Sequence, residues 1–81
     1  MNLTEAKSLI AQSVTCELDL IQMGELECAD LMLNYRHGAQ LRVYMIQCLI
    51  DDYPESNKEI VEYLFEQVKE LILMITQNNC P

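Results

Sequence analysis

His37 and the cysteines at 16, 28, 48 and 80 are the side chains of this sequence best suited to nucleophilic or metal chemistry. Zinc sites draw on closely spaced thiolates and imidazoles, but the chain has no C-x-x-C pair and no second histidine. The same count removes a Glu-x-x-His metal site of the kind built inside helical bundles. A thiolate–imidazole pair between His37 and Cys16, Cys28 or Cys48 is open on the sequence, yet no orienting acid or oxyanion donor accompanies it. Directly before Gly38, His37 reads more simply as the polar or cationic end of a helix. Three of the cysteines fall in helical patterns, and all four read as reduced thiols, the buried ones filling small apolar spaces. Cys80, next to the last residue, is the one expected to be exposed.

The acidic residues around position 51 approximate a calcium-binding loop. A twelve-residue loop beginning at Asp51 would place Tyr53, Glu55, Asn57 and Glu59 at ligand positions and Glu62 at the last. Tyrosine in place of a carboxylate, and Ser56 where glycine is needed for the sharp turn, speak against it. Two isolated glycines cannot build a phosphate-cradling loop. Asp51 and Asp52 read as a solvated helix end. No metal, no cofactor and no enzymatic activity are expected.

Two groups of residues suit binding better. Tyr35, Arg36, Arg42 and Tyr44 combine amphipathic rings with guanidinium groups, the side chains enriched in the energetic centres of protein interfaces. The run Leu71, Ile72, Leu73, Met74, Ile75 has no polar side. A helix apolar all round must be covered all round, so Leu71, Ile72, Met74 and Ile75 are candidate docking residues. Beside them Glu55, Glu59, Glu62, Glu66 and Glu70 form an acidic stripe at three- and four-residue steps, either a plain solvated face or a charged recognition surface.

These residues must be positioned by helices. Half of the residues (51%) are hydrophobic, with only two glycines and two prolines, a composition that favours helix over strand. Leu3, Ala6, Ile10, Val14, Leu18 and Ile21 share one apolar face of a first helix over 4–23, with Thr4 as cap and Gly24 as stop. Leu26, Ala29, Met32 and Leu33 face one way in a second segment, 25–37, where Arg36, His37 and Gly38 make a composite stop signal. A third, 39–52, carries Val43, Ile46 and Ile50. Its phase matches that of the second segment, so the two can also be read as one kinked helix; the composite signal favours a break or kink. Pro54 closes this region. Ser56 and Glu59 form a capping box for a last helix over 57–77, in which Val61, Leu64, Val68, Leu71 and Ile75 make an inward seam. Residues 78–81 read as a tail. The fold expected is therefore a single all-α domain over 1–81, a small bundle of three to four helices.

Charge narrows the function. Thirteen acids against five lysines and arginines give a net charge of −8, which repels phosphate backbones and anionic membranes. The opening MNLTEAKSLI lacks the basic and apolar regions of a signal peptide, and no apolar run nears the about 18 residues needed to span a bilayer. The sequence points to a small cytoplasmic protein–protein interaction module, adaptor, chaperone-like or regulatory, with a protein partner of basic character and self-association as a homodimer. The alternative is an acidic inhibitor that imitates nucleic acid to a basic target, of phage or plasmid type, with Glu17, Asp19, Glu25, Glu27 and Asp30 adding to the stripe.

Overall fold

The computed structural model describes residues 2–52 and 55–77 and shows three helices, with no strand among the described residues. The expectations placed on Tyr53, Pro54, Cys80 and the tail at 78–81 lie outside the described residues.

Helix α1 spans Leu3–Gln22. Its cap is Asn2 rather than Thr4. Asn2 is extended, and its Oδ1 accepts the Glu5 backbone N–H at 2.8 Å. Asparagine ranks above threonine in this role because its side-chain oxygen reaches the orphan donors of the first turn readily. The helix ends as the glycine predicts. Gly24 takes φ +82°, the Glu25 N–H donates to the Leu20 carbonyl at 2.9 Å and the Gly24 N–H to that of Ile21 at 3.0 Å. This is a Schellman closure, which needs a left-handed residue after the cap.

Helix α2 runs unbroken over Leu26–Asp52, 27 residues or roughly 40 Å. The expected break at Gly38 is absent, and the physical reason lies in what surrounds that residue. Arg36 is engaged by Glu17 from α1 and does not cap a helix end. A Cβ at Gly38 would lie 3.3 Å from Arg42 Nη1 and 3.4 Å from Leu71 Cδ1. The glycine serves close approach: Arg42 Nη1 folds back to donate to the Gly38 carbonyl at 3.0 Å, and Leu71 comes in from α3. The buried positions Ala29, Met32, Arg36, Ala39, Val43 and Ile46 keep one phase across it. That continuous packing outweighs the about 1 kcal/mol a glycine costs inside a helix.

Helix α3 is Lys58–Gln77, one residue later than predicted. Asn57, not Ser56, occupies the cap position, so the Ser56–Glu59 capping box falls out of register. The Asn57 carbonyl accepts from Val61 N–H at 2.9 Å, and its side-chain amide donates to the Leu49 carbonyl at 2.9 Å. One residue thereby ties the start of α3 to a backbone carbonyl of the last turn of α2.

The helices pack antiparallel in sequence, with α2 in the middle. Ala6, Ile10, Ala39, Val43, Ile46, Leu64, Val68 and Ile72 form one core cluster, and Leu20, Ala29, Met32 and Ile75 a second toward the Gly24 turn. The molecule is a rod of 46 × 17 × 15 Å with a radius of gyration of 13.9 Å, against about 12 Å for a compact chain of this length. A rod leaves more side chain outside than a sphere does, and α1 shows it. Ser13, Glu17 and Leu20 turn inward in its second half, whereas Val14, Leu18 and Ile21, expected inside, are exposed.

Candidate interaction surface

The polar residues singled out from the sequence are mostly engaged within the chain. Arg36 is buried and ion-paired with Glu17, whose side chain is only 16% exposed. Arg42 is held twice, to the Gly38 carbonyl and through Nε to Gln67 Oε1 at 2.8 Å; Gln67 in turn donates to Tyr63 Oη at 2.8 Å. Tyr35 is half-buried against the second core cluster, while Tyr44 is 68% exposed. Nine residues apart on one helix, Tyr35 and Tyr44 point to opposite sides. The structure therefore does not bring Tyr35, Arg36, Arg42 and Tyr44 together into one patch.

The apolar C-terminal run divides in the same way. Ile72 and Ile75 are buried, Leu71 is half-buried against α2, and Leu73 and Met74 stand outside. The chain's own helices cover most of that turn. The acidic stripe is outside along its whole length: Glu55, Glu59, Glu62, Glu66 and Glu70 are all exposed, and Glu66 meets Lys69 at 3.2 Å.

A surface of which the sequence singles out only Tyr44 lies on the far side of α2. Leu41, Tyr44, Met45 and Cys48 are all exposed, at steps of three, four and seven residues from Leu41. That spacing puts them on one helix face, turned away from Val43 and Ile46 in the core. Tyr44, Met45, Cys48 and Leu49 line a shallow, almost wholly apolar groove of about 340 Å³. Small-molecule sites enclose their ligand and converge several polar groups on it; this groove does neither, and suits an apposed side chain. The signal was present as a second apolar stripe one step out of phase with Val43, Ile46 and Ile50.

Charge sets this face apart. None of the thirteen acids lies between Asp30 and Asp51. The smaller exposed stripe of Val14, Leu18 and Ile21 on α1 is interrupted by Glu17 and Asp19 in sequence, and Leu73 and Met74 follow directly on the acidic stripe.

For chemistry, the geometry separates the candidates. His37, Cys28 and Cys48 share one continuous helix at separations of nine and eleven residues, roughly 13 and 16 Å along the axis, beyond hydrogen-bond reach. Cys16 lines a different groove, with Leu9, Gln12, Ser13, Ile75 and Thr76. Cys16 and Cys48 are free and exposed, not buried fillers, and Cys28 is disulfide-bonded, which corrects the expectation of four reduced thiols. Among the described residues no cluster of three or more His, Cys, Asp or Glu is placed to hold a metal ion, and no helix is long and apolar enough to cross a membrane.

The chain is thus an all-α, three-helix rod with an apolar outer face on its central helix. No family model matches it, and no curated protein or solved structure shows significant similarity to it.

Proposed function

We propose that this chain is a small acidic protein–protein interaction module, adaptor, chaperone-like or regulatory, that works by docking a helix surface and that self-associates. The observation that carries the reading is the exposed face of Leu41, Tyr44, Met45 and Cys48, a second apolar side on a helix whose first side already holds the core. Tyrosine and methionine are enriched, and carboxylates depleted, at the centres of protein interfaces, and this face has that composition. The acidic faces elsewhere supply solubility and steer a basic partner toward the molecule. Cytoplasmic placement belongs to the same proposal; the exposed free thiols of Cys16 and Cys48 favour it, and the disulfide at Cys28 is the observation against it.

The second reading, an inhibitor imitating nucleic acid, is favoured by one observation, the full exposure of the stripe on α3. Magnitude ranks it lower. Glu59, Glu62, Glu66 and Glu70 place four charges on about 16 Å of helix axis. One DNA strand carries a phosphate every ~3.4 Å and a duplex twice that, so the stripe reaches about two thirds of a strand's density, and Lys69 dilutes it further.

Salt separates the two. Association measured by light scattering at low and high ionic strength persists or strengthens if apolar docking drives it. Binding to a basic target that collapses at high salt, with no salt-resistant association of any kind, overturns the first reading in favour of the second.

A further inference from the structure

We infer that the outer face of α2 is covered by the same face of a second copy, the two helices antiparallel about a two-fold axis near Tyr44 and Met45. This rests on the docking reading above and names its occupant. The first argument is electrostatic. Two chains of net charge −8 repel wherever carboxylates oppose one another. The middle of α2, residues 31–50, carries no carboxylate of its own to oppose its copy, and the two arginines of this stretch are occupied internally by Glu17 and Gln67.

The second argument concerns direction. His37 is exposed on the same side of α2 as the apolar face, one turn before Leu41, and Asp51 and Asp52 are exposed at its other end. A two-fold axis through the middle of the stripe brings His37 level with Asp51 and Asp52 of the second copy, at both ends of the pair. An imidazole N–H donates to a carboxylate in the neutral and in the protonated ring. A parallel pair would instead set aspartates against aspartates and lose that complementarity. The antiparallel arrangement is also isologous: each copy offers the same patch, and the contact closes at two chains with no face left to propagate.

The test uses the full chain and its exposed variants. Light scattering at high micromolar concentration is expected to give twice the 9.4 kDa chain mass. Leu41→Glu and Met45→Glu, on exposed positions, return the mass to that of one chain with the helical circular dichroism unchanged, whereas Leu73→Glu leaves the dimer in place. His37→Lys tightens the dimer by about 2- to 5-fold and His37→Glu loosens it by a similar factor, the size of exposed charge pairs. A dimer that survives Leu41→Glu and Met45→Glu but dissociates with Leu73→Glu overturns this inference and leaves the docking reading standing. A dimer weakened by His37→Lys overturns the antiparallel arrangement. A wild-type chain that stays at 9.4 kDa overturns the inference and the self-association in the reading above; only the further lack of any salt-resistant protein association overturns docking itself.

Discussion

The two long sides of α2 carry similar apolar spacing and different fates. On the inner side Ala39, Val43 and Ile46 are buried between α1 and α3. On the outer side Leu41, Tyr44, Met45 and Cys48 repeat the same three- and four-residue steps and are exposed. The difference teaches that helical periodicity reports which residues can share a face but not how many faces a helix will have covered. A three-helix rod gives its central helix two neighbours, and both lie on one side. The outer stripe is then apolar surface that the buried core does not take in.

That contrast can be broken most sharply at Ile46. It is fully buried, and Ile46→Ala removes core contacts and leaves a cavity, so unfolding in urea is expected to lose about 3 kcal/mol. Arg36→Met comes next. It strands Glu17 without its partner in a site 16% exposed, at an expected cost of about 2–3 kcal/mol, discounted from the deeply buried case; adding Glu17→Met recovers most of it, which a double-mutant cycle reads directly. Gly24→Ala, at the turn that folds α1 onto the inner side, meets no neighbouring atom but must hold φ +82°. It is expected to lose about 1–2 kcal/mol from backbone strain alone. Leu41→Ala should change the stability of the dissociated chain by no more than about 0.5 kcal/mol, as exposed substitutions do, in urea melts at high dilution. A large loss there would mean that the outer side also supports the fold.

Much of the architecture was legible because local signals agreed. Gly24 closed α1 as its type demands, and Leu64, Val68 and Ile75 faced inward as their spacing implied. Misreadings came where a residue had two uses. Gly38 looked like a helix stop because Arg36 and His37 preceded it; its use is to admit Arg42 and Leu71, a tertiary contact that no local pattern announces. Arg36 looked like an interface anchor and is the inner half of a buried ion pair. Val14, Leu18 and Ile21 looked like core because they are apolar, but the inward side of that half of α1 is Ser13, Glu17 and Leu20, with Glu17 paired to Arg36. The docking residues proposed at the C-terminal turn suffered the same ambiguity: Ile72 and Ile75 serve the bundle, and only Leu73 and Met74 of that run are outside.

The most direct test of a second apolar side held for another protein surface is the concentration dependence of thermal unfolding. Folding coupled to association stabilises by mass action, so the wild-type melting temperature should rise by about 5 °C or more over a hundredfold increase in protein concentration, while Leu41→Glu should melt at one temperature throughout. A wild-type melting temperature that does not move with concentration, in a chain whose mass remains 9.4 kDa, would contradict self-association through α2.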